Sequence, residues 1–231
     1  MKSLLFSDPM IQALRDRRKT QTRRMVRLTA DDGEQRDHTK WQLETPEGKE
    51  SIRETASRPP WPPKRAFEFW WWNTDDSRGI YEYAPIMPGE VFYAREAWCD
   101  RTGFDASPKL FFRADNEHQA FESDAFKVRW RSPLHLRAED ARFHFRCTAV
   151  RVERLNDISE EDANAEGVTV APDACVAAVV AGEPWTPAKM EFWALWKLLH
   201  GAMSWDANPW VWVYTFEQIT REEAFAAEGK R

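Results

Sequence analysis

The stretch Arg17-Arg18-Lys19-Thr20-Gln21-Thr22-Arg23-Arg24 sets a lysine and a threonine three residues apart inside a run of arginines. Like charges on Arg18 and Arg23 disfavour the protonated form of Lys19, and partial burial acts in the same direction. An amine in that state is a base, and a hydroxyl within its reach is a candidate nucleophile. Thr22 offers that hydroxyl if the chain turns sharply after the preceding helix. Glu166 offers a third role. It closes a short predicted helix, where the negative end of the dipole disfavours a carboxylate anion, and a protonated side chain there can act as a general acid. The competing explanation of the basic run is a solvated helix end, because cations complement the C-terminal end of the dipole.

Other chemistries find little support. The five histidines (His38, His118, His135, His144 and His200) show no H-E-x-x-H spacing, and Cys99, Cys147 and Cys175 form no knuckle, so neither a metal nor another cofactor is expected. Walker loops, G-x-G-x-x-G and G-x-S-x-G are absent from the sequence. An enzyme here would work with Lys, Thr, Ser and carboxylates. Charge narrows the choice further. The first thirty residues carry eight Lys and Arg against two Asp and Glu, yet the whole chain has a formal net charge of −5. One basic cluster on an acidic body favours a small substrate or a short contact over extended binding of a long polyanion.

With 231 residues, 42% hydrophobic and 31% charged, the chain suits a globular protein of one well-packed domain with insertions, or of two small ones. Its 13 Trp and 14 Phe imply a core or groove built from flat rings. No apolar run approaches the roughly 18 residues of a membrane span. The apolar part of "MKSLLFSDPM" is too short for a signal peptide. An odd number of distant cysteines points to reduced thiols and a cytoplasmic location.

The elements that must position these residues follow from pattern. A short strand at Leu4–Phe6 leads into a helix capped by Ser7 or Asp8, with Pro9 in its first turn. Residues 29–65 are polar and rich in turn signals, and "AFEFWWW" and "IYEYAP" form a plausible hairpin around "NTDDSRG". "VFYAREAW" and "KLFFRAD" look like strands. In "RFHFRCTAVRVERL" the apolar positions change parity at Thr148–Ala149, as a bulged strand requires. "DISEEDANAEG" is a short helix with Ser159 and Asp162 as a capping box and Ile158 stapled onto Ala163. "TPAKMEFWALWKLLHG" is a second helix, from the Thr186 cap to Gly201, with Trp193 and Trp196 as core. "PWVWVYTFE" closes the fold as a strand, and 218–231 is a polar tail. Strands outnumber short helices that do not alternate with them, so the fold class is α+β around a small curved sheet or barrel.

Four ordered motifs, "RKTQTRR", "PGEVFYAREAW", "VRVERLNDISEEDANAEGV" and "FWALWKLLHGAMSWDANPWVWVYTFE", resemble the ASCH domain family, especially its phage and prophage members. The resemblance implies a PUA-like β-barrel with flanking short helices over residues 1–231, elaborated by an insertion at about 29–85. Some small bacterial ASCH proteins are amidohydrolases that remove the acyl group from N4-acetylcytidine. By motif, the resemblance makes Lys19 the proton acceptor, Thr22 the nucleophile and Glu166 the proton donor. Substrate contacts are expected from Arg18, Arg24, Arg95, Glu96, Trp98 and Arg142, with the arginines of the run as a positively charged rim around the cleft. Phage relatives usually carry Pro–Arg–Trp where this chain has "LRAEDAR", so Arg142 is kept and the tryptophan is lost. The implied partner is a small nucleoside with at most a weak RNA contact, and no membrane. The alternative function is an RNA- or nucleotide-binding module, or a ribonuclease, of phage origin.

Overall fold

The computed structural model describes residues 1–27, 41–43, 53–55, 66–73, 79–101, 109–115, 129–170 and 186–229. The architecture is α+β, and its strands form mainly open sheets. The principal sheet has five strands in the order β1-β7-β10-β11-β2. These are β1 (Lys2–Leu5), β2 (Gln21–Met25), β7 (Val91–Arg95), β10 (His144–Arg154) and β11 (Trp210–Ile219). Among the described residues, β1 and β2 are its two ends. By compactness the chain divides into two units: residues 1–20, 89–148 and 216–231 form the first, and 21–88 with 149–215 the second. β10 and β11 each run through both. On β10 the division falls at Thr148–Ala149, where two consecutive exposed residues separate the buried Phe145 and Cys147 from the buried Val150 and Val152. That is the expected change of parity.

In the first unit β1 runs parallel to β7, and β7 is antiparallel to the start of β10. Phe92, Phe145 and Phe216 meet here, with ring centroids 4.8 to 5.6 Å apart. Helix α1 (Asp8–Arg15) has Pro9 in its first turn and buries Met10, Ile11, Ala13 and Leu14. "VFYAREAW" is not one strand. It breaks after Arg95, and β8 (Trp98–Arg101) pairs instead with β9 (Lys109–Phe112). Trp98 and Phe112 stand opposite each other in that pair and share a small core with Tyr93, Leu136 and Ala141. Beyond β11, the stretch read as a polar tail is a helix, Arg221–Glu228, closed by a capping box between Thr220 and Glu223. The pattern T-R-E-E before Ala and Phe is the signature of that box.

In the second unit β11 pairs antiparallel with β2, and helices α2 (Glu160–Ala165) and α3 (Pro187–His200) accompany them. Ser159 caps α2 through its hydroxyl, and Gly167 leaves it with φ +82°. The core joins Leu155, Ile158 and Ala163 to Phe192, Trp196, Trp205, Val211 and Val213. Trp196 is thus core, as its helical spacing predicts. Trp193 packs at the edge of that core with the Lys197 ammonium 3.1 Å from its ring centroid. Most of the expected insertion at 29–85 lies outside the described residues. The strands within it, β3 (Trp41–Leu43), β4 (Arg53–Thr55), β5 (Ala66–Asn73) and β6 (Gly79–Tyr83), pair among themselves as a separate sheet, including the expected β5–β6 hairpin. Among the described residues no helix is long and apolar enough to cross a membrane.

Candidate active site

Helix α1 ends in a way that decides the fate of Lys19. Arg17 adopts φ +57°, the Arg18 N–H donates to Ala13 O, and the Arg17 N–H donates to Leu14 O. This is a Schellman ending with arginine where glycine is usual. The reversal also brings the Lys19 N–H to Ala13 O at 3.2 Å. Lys19 is 3% exposed, with Nζ 6.0 Å from the centre of the buried Phe6 ring. Arg15, Arg17 and Arg18 stay in solvent, and Arg18 pairs there with Asp16 at 3.3 Å. The basic run is therefore not uniform: Arg17 and Arg18 close a helix in solvent and Lys19 is buried.

Thr22 lies in the second unit, on β2 opposite Tyr214, with no exposed surface. Its Oγ1 accepts a hydrogen bond of 2.8 Å from Arg24 Nη1. Strand alternation puts Thr22 and Arg24 on one face of β2 and Gln21 and Arg23 on the other. Glu166, the residue ending α2, is 2% exposed. Its charge acts on Arg24, as does Tyr214, while desolvation lowers the Arg24 pKa from its ordinary value. Thr22 and Arg24 are thus bonded on one face of β2, and the charge of Glu166 is felt at the Arg24 guanidinium.

Arg23 does not belong to an exposed rim. Its side chain is fully buried and donates to Glu153 Oε1 at 3.1 Å, Gln21 Oε1 at 2.9 Å, Glu166 Oε1 at 3.2 Å and Asp162 Oδ2 at 2.8 Å. Arg151 adds a second guanidinium, bonded to Glu153 Oε2 at 3.0 Å and to Asp162. Burial alone would raise the Asp162 carboxyl, but Arg23 and Arg151 outweigh it and hold the pKa low. Burial would likewise lower Arg23, yet Glu166 and Glu153 more than compensate. Each charge in this cluster has partners of the opposite sign, which is what allows burial. Glu153 carried no signal in sequence, and the Asp162 side chain, expected in a capping box, turns to Arg23 and Arg151 instead, since the partner of a buried arginine is fixed by topology.

The remaining expected substrate contacts fall in the first unit. Glu96, fully buried at the β7–β8 break, accepts from Arg142 Nε at 3.0 Å and Nη2 at 2.6 Å. Arg142 Nη1 reaches Asp115 at 2.7 Å, and its guanidinium lies 4.1 Å from the Phe112 ring centroid. Burial raises the Glu96 pKa despite Arg142. Arg95 donates to Tyr93 Oη at 3.1 Å, and Trp98 carries Arg131 over its ring at 5.1 Å. Glu96 and Arg142 thus come together as an internal clamp, with Trp98 in the adjoining core. Among the described residues no three His, Cys, Asp or Glu side chains are grouped to hold a metal ion; His38, His118 and Cys175 lie outside them.

No family model matches the chain, and comparison with curated proteins and with solved structures finds no match either.

Proposed function

We propose that the protein is an amidohydrolase that removes the acyl group from N4-acylated cytosine nucleosides, using Lys19, Thr22 and Glu166 on an ASCH-type, PUA-like fold. The observation that carries this reading is burial. The three groups singled out for chemistry are 3%, 0% and 2% exposed, while the arginines beside Lys19 remain in water. A lysine serving only a helix end would extend into solvent with them. The role of Lys19 rests on this burial and on its position three residues before Thr22.

In this reaction Lys19 takes the hydroxyl proton of Thr22, and Oγ1 bonds to the acyl carbon as the bond from that carbon to N4 breaks. Glu166 gives N4 the proton it needs to leave as cytosine. Water then attacks the acyl-threonine. Its proton returns to Glu166, and the Lys19 proton returns to Thr22 Oγ1, which restores the starting state.

The test is incubation of the purified protein with N4-acetylcytidine while cytidine and acetate are followed by chromatography. Release of both, abolished by Lys19→Ala, supports the proposal. Tight, salt-sensitive RNA binding without turnover of any acylcytidine favours the binding-module alternative.

A further inference from the structure

Arginine is a donor only: its five N–H groups can give hydrogen bonds and accept none. The bond between Arg24 Nη1 and Thr22 Oγ1 therefore has one possible direction, from guanidinium to hydroxyl oxygen. The hydroxyl hydrogen cannot point back along it and is left for some other acceptor. The guanidinium is itself anchored. The same Nη1 donates to the backbone carbonyl of Arg23 at 2.8 Å, so one hydrogen fixes the head group and the other meets Thr22.

We infer that Arg24 is the electrostatic partner of the Thr22 oxygen, fixing it by one hydrogen bond, leaving its proton to the base, and stabilising the negative charge that grows as the hydroxyl ionises. This rests on the proposed amide hydrolysis, in which Thr22 Oγ1 is the attacking atom. It gives Arg24 a role at the nucleophile, where the sequence suggested a substrate contact. A preorganised cation beside a developing oxyanion acts most strongly where water is excluded. Thr22 has no exposed surface, Arg24 is half-buried, and desolvation holds the guanidinium pKa below its ordinary value. Glu166 and Tyr214 act on the same guanidinium against that lowering. No proton leaves Arg24 at any step; the proton of Thr22 goes to the base.

The experiment compares kcat and KM of N4-acetylcytidine hydrolysis in the wild type, Arg24→Gln and Arg24→Lys, with melting curves confirming that each is folded. Arg24→Gln should lower kcat by about a hundredfold or more, as loss of an oxyanion donor does. KM should stay within about threefold, because ground-state binding is untouched. Arg24→Lys should recover about tenfold, since the charge remains but the planar fork is lost. A loss confined to KM would make Arg24 a substrate contact and overturn the inference. Equal losses in both variants would make its role structural and overturn it too. Normal turnover by Arg24→Gln sinks the inference alone, whereas no turnover by the wild type sinks the proposed function and this inference with it.

Discussion

Arg23 Nη1 lies 3.2 Å from Glu166 Oε1, although 143 positions separate them in sequence. The pair ties the end of α2 to β2, and Glu153 and Asp162 close around the same guanidinium. Removing the cation while keeping the acids should be costly. Arg23→Met takes the bond to Arg23 from the buried Glu166, while Glu153 and Asp162 keep Arg151, an expected loss of about 3–5 kcal/mol. Urea denaturation measures it, and a loss below about 1 kcal/mol, typical of a surface ion pair, would contradict the burial argument.

His144 makes acid stability a second test. The ring is 1% exposed, Nε2 lies 3.0 Å from Ala138 O, and the Tyr93 and Phe225 rings pack nearby. Desolvation first and then the Arg221 charge lower its pKa, against the bond to Ala138 and the charge of Glu222. A folded pKa below the unfolded value of 6.5 means that the folded state binds the proton less readily. The contribution is complete above that value and is lost as pH falls through the folded pKa. Melting temperature should drop between pH 7.5 and pH 5.5, and His144→Gln should flatten that dependence over the same interval.

The αL turn at Arg17 gives a stability prediction of opposite sign. A non-glycine residue at φ +57° bears a local conformational cost. Arg17→Gly should remove it, and after glycine's greater chain entropy is subtracted the gain should be about 0.5–1 kcal/mol. Thermal melts of the two proteins check this. Destabilisation would mean that the Arg17 side chain contributes more than its backbone costs.

What the sequence could reveal follows a physical divide. Periodicity and capping chemistry are local, so α1, the Ser159 cap, the helix from Thr186 to Gly201 and the parity change on β10 were all legible. The helix at Arg221–Glu228 was legible too, through T-R-E-E, but its charged composition suggested a tail. Burial of an individual charged side chain is not local. Nothing near Arg23 distinguishes it from Arg24, yet one is locked among carboxylates and the other bonds to a hydroxyl. The break after Arg95 was equally hidden, because it depends on Arg142, 46 residues after Glu96, to neutralise the buried acid.

That clamp supplies its own prediction. Arg142→Leu leaves Glu96 buried and uncompensated, with an expected cost of about 3–5 kcal/mol near neutral pH. Burial already raises the Glu96 pKa, and loss of Arg142 raises it further. The acid can then escape its penalty by taking up a proton. The destabilisation should therefore shrink as pH is lowered toward 5, and denaturation at both pH values tests it. A loss independent of pH would assign the cost to lost packing on Phe112 instead.

The last prediction separates the chemical roles from the structural ones. Thr22→Ala should abolish hydrolysis of N4-acetylcytidine if an acyl-threonine forms, whereas Thr22→Ser keeps the hydroxyl and should retain measurable turnover. Glu166→Gln keeps the size of the side chain but cannot deliver a proton, and should cost about a hundredfold or more in rate. It also weakens the bond from Arg23, so its stability must be measured beside its activity. Glu153→Gln is the matched control, because it loosens the same guanidinium without removing the proposed donor. If Glu153→Gln loses as much activity as Glu166→Gln, the cluster around Arg23 acts through structure alone, and Glu166 is not the proton donor.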